Sequence, residues 1–180
     1  MTKRVLTAIA AATCLSLPLI AQEPDTSSRI NALDYFVGSW TGEESASIGQ
    51  GRGERTYERA LQGTYLLGRN RSLFQPQEGL PEGDDHLDWT WFSYDAERET
   101  YVVRQFNSEG YVNRFVMDAG SDVPNRMSFT LEATENARGG TGRLAYRVID
   151  DDTFEETFEF AWPNSDQRFT VSNRWTRVQD

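Results

Sequence analysis

The sequence predicts an all-β protein: an antiparallel up-and-down β-barrel of about ten strands with a short N-terminal helix at one end. Three observations carry this. From Trp40 onward nearly every segment alternates apolar and polar residues, or is rich in aromatic and β-branched ones, with turn-forming residues between. No helical stretch separates these segments, which leaves out parallel crossover units. The connections also read as sequential hairpins with few long loops, and closing such a sheet removes the edges it would otherwise expose.

The elements follow in chain order. Ser27 and Ser28 are N-cap residue types, and Ile30, Leu33 and Phe36 have the spacing of a helix of about two turns with one apolar face. Gly38 can end that helix, so that Trp40 opens the first strand, near 39–48. Gly49, Gly51 and Gly53 then read as a hairpin turn, followed by a strand near 54–61 with Tyr57 and Leu61 in phase. A third strand, near 64–74, would carry Tyr65, Leu67 and Leu73 on one face, with Arg69 and Arg71 interrupting it. The stretch 75–85 holds Pro76, Gly79, Pro81 and Gly83 and reads as a surface loop.

A meander of three strands follows, near 86–94, 100–106 and 111–117, the first alternating Leu87, Trp89 and Trp91. Met127, Phe129 and Leu131 alternate in another strand, and the last three lie near 143–149, 153–161 and 168–178. No proline falls inside any of them, so none is demoted to an edge on that ground.

Residues 1–21 read as a signal peptide: Lys3 and Arg4, an apolar run from Val5 to Leu17, and Leu19-Ile20-Ala21 as the cleavage site. The run is too short for a convincing membrane span. A lipid anchor on Cys14 is the rival, but Ala11-Ala12-Thr13 lack the usual leucine-led pattern and the apolar run continues past the cysteine. Residues 22–28 are then a short linker and 29–178 one barrel domain. The expected location is periplasmic or secreted.

Cleavage removes both the only cysteine, Cys14, and the only lysine, Lys3. The mature chain then has no disulfide and no Schiff-base chemistry. It also loses two positive charges, taking the formal net charge from −10 to −12. Such a surface argues against nucleic acid and against anionic membranes as partners, which need basic residues. The oligomeric state is left open.

A short helix, Gly38-Ser39-Trp40 at the first strand, and a meander ending in Arg174-Trp175-Thr176-Arg177 resemble the calycin plan. The resemblance spans about 28–178 and is nearest to lipocalin-like and nitrobindin-like exported bacterial domains of unknown function. It implies that Trp40 packs under an arginine of the last strand, Arg174 or Arg177, closing one end. It also implies a small-molecule ligand. In the nitrobindin branch that ligand is haem, held by a late histidine. Here the corresponding stretch is Thr170-Val171-Ser172-Asn173-Arg174-Trp175, the only histidine is His86, and the glycine-rich run after the first tryptophan is replaced by Glu43–Ser47. No cofactor is therefore expected, and haem is disfavoured.

Several clusters bear on chemistry. Asp84-Asp85-His86-Leu87-Asp88 holds metal-ligand types, but adjacent residues point apart and no second cluster accompanies them. An acidic turn is the better reading, and no metal is expected. Glu156 shares the phase of Phe154, Phe158 and Phe160. If that face is interior, its carboxylate needs a buried partner, and Arg69, Arg71, Arg104, Arg114, Arg147, Asn113 and Asn173 are the candidate types. Glu156, Arg69, Arg71, Asn113, Trp91 and Phe158 are the expected ligand-facing set, with Trp40, Arg174 and Arg177 as structural closure.

The function expected is an exported barrel of lipocalin or fatty-acid-binding type with a mostly apolar ligand. No catalytic residue is assigned. The alternative is an isomerase, cyclase or lyase using an interior carboxylate such as Glu156 as general acid or base. A third class, an envelope module binding a protein, would show a solid core and an exposed aromatic patch.

Overall fold

A computed structural model describes residues 26–179. The stretch 1–21 expected to be a signal peptide, with Cys14, lies outside the described residues. A helix α1 (Thr26–Asn31) and a 3-10 turn (Asp34–Phe36) precede ten strands. These are β1 (Gly38–Ala46), β2 (Gly49–Ala60), β3 (Tyr65–Phe74), β4 (Asp84–Asp95) and β5 (Thr100–Asn107). The second half is β6 (Val112–Met117), β7 (Arg126–Glu135), β8 (Thr141–Asp150), β9 (Thr153–Ala161) and β10 (Arg168–Arg177). Each pairs antiparallel with its sequence neighbours, and β10 pairs with β1 to close the barrel in up-and-down order. The helix already begins at Thr26, inside the stretch expected to be linker.

One half of the barrel is solid. Ile30, Leu33 and Phe36, the apolar face anticipated for the helix, are buried with Trp40, Tyr57, Phe92, Phe129, Tyr146 and Phe154. Each such side chain contributes roughly 1.5–3 kcal/mol on burial. Hydrogen bonds fix the segment to that end. Tyr101 Oη donates to the Arg29 carbonyl (2.7 Å), and Tyr35 Oη lies 2.8 Å from the carbonyls of Asp150 and Thr153 at the β8–β9 turn.

Trp40 donates Nε1–H to the Phe36 carbonyl (2.8 Å), and the Arg177 guanidinium lies over its ring at 4.1 Å. Arg177 also donates to the carbonyls of Val37 (2.8 Å) and Tyr35 (2.6 Å). The Trp40–arginine closure is therefore made by Arg177. Arg174 faces outward and pairs with Glu155 (2.9 Å), because it is an odd number of residues from Arg177 along a strand whose side chains alternate.

The glycines at 49–53 are not a turn. They lie within β2, and the reversal falls at Ser47 and Ile48. Gly53, Gly42 and Trp175 form one register row across β2, β1 and β10. A Cβ on Gly42 would sit 2.7 Å from the Trp175 ring, and one on Gly53 2.4 Å from it. The two missing side chains thus make the slot in which the indole lies across the barrel wall.

The strand phase also differs in β3 and β4. Leu66, Gly68, Asn70, Ser72 and Phe74 face inward, and so do Asp88, Thr90 and Phe92. Register explains it: Tyr57 pairs with Gly68 and Arg55 with Asn70, so the even positions of β3 share the face of Arg55 and Tyr57. A one-residue slip turns every side chain over. Leu87 (48 % exposed), Trp89 (52 %) and Phe106 (46 %) accordingly form an outer patch, Trp89 standing opposite Phe106.

Candidate ligand site at the open end of the barrel

Above the solid half, polar side chains project into the interior from six strands. Their centre is Glu156 on β9, whose Oε2 accepts from Arg55 Nη1 (2.8 Å), Trp175 Nε1 (3.0 Å) and Asn173 Nδ2 (3.4 Å). Arg55 also donates to Tyr57 Oη (3.1 Å) and through Nε to Asn70 Oδ1 (3.1 Å), and its guanidinium stacks on the Trp175 ring at 4.3 Å. Arg55 and Glu156 are both buried. A charge pair survives there only because further hydrogen bonds replace the lost water.

The network runs on across the barrel. Asn70 Nδ2 donates to Ser72 Oγ (3.0 Å) and to Asp88 Oδ2 (2.9 Å), Thr90 Oγ1 donates to Asp88 Oδ1 (2.9 Å), and Ser72 Oγ donates to Glu44 Oε1 (2.8 Å). Glu44 is 2 % exposed. Burial pushes its pKa up from 4.5 to about 7, and neighbouring Glu156 and Asp88 add to the rise; the Ser72 hydrogen bond and Arg55 oppose it. Burial raises Tyr57 to about 12, so its hydroxyl stays protonated.

This network floors a cavity of about 230 Å³ that opens at the end opposite the helix. One wall is apolar, formed by Leu144, Phe158, Phe169 and Val171; His86, Glu109 and Tyr111 stand near the mouth. His86 Nδ1 is 2.8 Å from Glu109 Oε1, and its Nε2 is 3.7 Å from Asp88 Oδ2. A second, more apolar cavity of about 380 Å³, lined by Phe160 and Trp162, shares Tyr111, Phe158 and Phe169 with the first. Among the described residues, no group of three His, Cys, Asp or Glu is placed to hold a metal ion.

Of the residues anticipated for the interior, Glu156 and Phe158 line the first cavity and Asn113 the second. Asn113 donates to Gln105 Oε1 (3.3 Å) and accepts from Thr134 Oγ1 (3.1 Å). Arg69, Arg71 and Trp91 lie on the outer face: Arg69 pairs with Glu58 (2.7 Å), Arg71 with Asp85 (2.7 Å), and Trp91 meets Tyr65 edge to face. They follow the inverted phase of β3 and β4. Arg104, Arg114 and Arg147 are likewise bound outside, to Ser93, Glu132 and Glu155. The interior arginine is Arg55, and Glu44, Asn70, Ser72 and Asp88 complete the floor; sequence reading singled out none of these for the site. Counting in twos from Trp40 leads to Glu44, and from Tyr57 back to Arg55.

No family model and no curated protein matches the sequence. The structure of Rv2717c from M. tuberculosis superposes over 83 % of this chain and 97 % of that one, with a TM-score of 0.62 at 14 % identity. That likeness shows the barrel fold. A de novo designed fluorescence-activating β-barrel aligns over 82 % of this chain and 97 % of its own at 17 % identity, with a TM-score of 0.42.

Proposed function

We propose that this is an exported small-molecule-binding barrel of the lipocalin and fatty-acid-binding type. The observation that carries the reading is the buried Arg55–Glu156–Trp175 floor beneath an open cavity, in a barrel whose other half is filled. A few fixed polar groups facing an apolar wall are what orients a small ligand. The ligand therefore has a polar end that sits on the floor and an apolar remainder along Phe158, Phe169 and Val171. The leader at 1–21 supports export.

Haem fits the residues poorly. β10 carries no histidine, and His86 at the mouth is hydrogen-bonded to Glu109. The ligand is accordingly read as an organic molecule without metal.

Native mass spectrometry of protein recovered from the exporting compartment tests the proposal, together with binding of a fluorescent apolar probe to Val171→Trp. A co-purifying small molecule, and loss of probe binding when tryptophan fills the cavity, are expected. No bound mass, with probe binding unchanged in Val171→Trp, would overturn it.

A second reading is an isomerase or lyase in the same cavity. It is favoured by Glu44 rather than Glu156, since a buried carboxyl near pKa 7 suits general acid–base work. Glu44→Gln would then abolish turnover of the bound compound, which binding alone does not require.

A further inference from the structure

The cavity floor includes a hydrogen-bond acceptor that the protein itself does not use. Asn173 lines it, is only 8 % exposed, and turns its Nδ2 toward Glu156. Its Oδ1 is buried with no hydrogen-bond partner. Native proteins leave few such atoms, and one on a side chain that lines a cavity calls for a donor from outside the chain.

The charge in the cavity points the same way. Glu44, Asp84, Asp88, Glu109 and Glu156 line it against one arginine, Arg55, and His86. Arg55 is committed to Glu156, Tyr57 and Asn70. The remaining carboxylates repel an anionic head and attract a cationic one.

Register brings the free acceptor and a carboxylate together. Glu44 on β1 stands opposite Asn173 on β10, which stands opposite Glu156 on β9. Directly opposed residues have Cβ atoms roughly 5 Å apart, so one small donor group reaches both Asn173 and Glu44. A bare metal ion is not favoured by the same set, because no three metal-ligating side chains converge among the described residues.

We infer that the inner end of the ligand is a primary or secondary ammonium group, donating N–H to Asn173 Oδ1 and to the Glu44 carboxylate. Its apolar body runs past Phe158, Phe169 and Val171 to the mouth. This rests on the small-molecule reading above and names its substrate class.

The test is calorimetric titration of the mature chain at pH 8 with octylamine, 1-octanol, octanoate and octyltrimethylammonium. Octylamine is expected to bind at least roughly tenfold more tightly than 1-octanol, the usual worth of a charge-assisted hydrogen bond. Octanoate should be weaker than either, and octyltrimethylammonium, which has the charge and no N–H, should fall below octylamine. Glu44→Gln and Asn173→Leu should each weaken octylamine about tenfold, and should weaken 1-octanol, which offers the same acceptors only a neutral O–H, by less.

The ligand series on the unaltered protein does not depend on a variant folding. If 1-octanol or octanoate binds as tightly as octylamine, the ammonium inference falls while the small-molecule reading stands. Octylamine affinity unchanged in both folded variants would also overturn the inference. Binding by none of the four would overturn both.

Discussion

Replacing Glu44 with glutamine is expected to stabilise the unliganded protein, and increasingly so as the pH rises from 5 to 8. Burial lifts the Glu44 pKa from 4.5 to about 7, chiefly because its charged form is taken out of water. Between those two values the unfolded chain has released this proton while the folded protein still holds it. Stability therefore falls as pH rises through that window, since the folded state binds more protons there. At roughly 1.4 kcal/mol per pH unit the full cost is on the order of 3 kcal/mol, an upper bound once the fold relaxes.

Glutamine keeps an oxygen for the Ser72 hydroxyl and has no charge to desolvate. The variant should thus gain about 1–3 kcal/mol over the parent between pH 5 and pH 8. For a chain of this size that is roughly 3–10 °C in Tm. The assay is thermal unfolding of both proteins, followed by circular dichroism at pH 5, 6, 7 and 8 without ligand. Taking the difference cancels the other titrating groups common to both, to the extent that Glu44 does not couple to them. A Tm difference that stays flat across this range, or that favours the parent at pH 8, refutes the reasoning.

Other perturbations have equally definite outcomes. Glu156→Leu should cost about 3–5 kcal/mol in urea unfolding, because it strands the buried Arg55 charge, and adding Arg55→Met should recover most of it. Gly42→Ala drives a methyl to 2.7 Å from the Trp175 ring and should cost about 1–3 kcal/mol by the same assay. Arg177→Met removes the bonds to the Val37 and Tyr35 carbonyls and the contact over Trp40, a loss of about 1–3 kcal/mol. Arg174→Met, which removes only an exposed pair, should stay within about 1 kcal/mol of the parent.

The barrel was legible because its signals are local. Alternation, hairpin chemistry and the absence of helical stretches locate ten strands without knowledge of their partners. Ile30, Leu33 and Phe36 do enter the core, but only Ile30 is on the helix, which ends at Asn31; Leu33 lies in the turn after it and Phe36 in the 3-10 turn. The site was only partly legible because it depends on which face of each strand is inside. In β9 three phenylalanines set the phase around Glu156 correctly. In β3 and β4 the apolar residues that suggested the inner face, Leu73, Leu87 and Trp89, are on the outer one, while Asn70, Ser72 and Asp88 are inside.

A barrel with a polar floor inverts the rule that hydrophobic residues point inward, so local hydropathy misleads where the interior is polar. Arg55 was lost for a different reason. The glycines before it suggested a turn, whereas Gly53 is in the strand to admit an indole from β10. That constraint spans more than a hundred residues of sequence and leaves no trace in a local window.

The most direct measurement is where a bound alkylamine sits, from a crystal structure of the protein grown with octylamine. The account predicts the nitrogen within hydrogen-bond distance of Asn173 Oδ1 and the Glu44 carboxylate, with the chain against Phe158 and Phe169. An alkylamine seated on the outer patch by Trp89 and Phe106, with Asn173 Oδ1 still unpartnered, would contradict it.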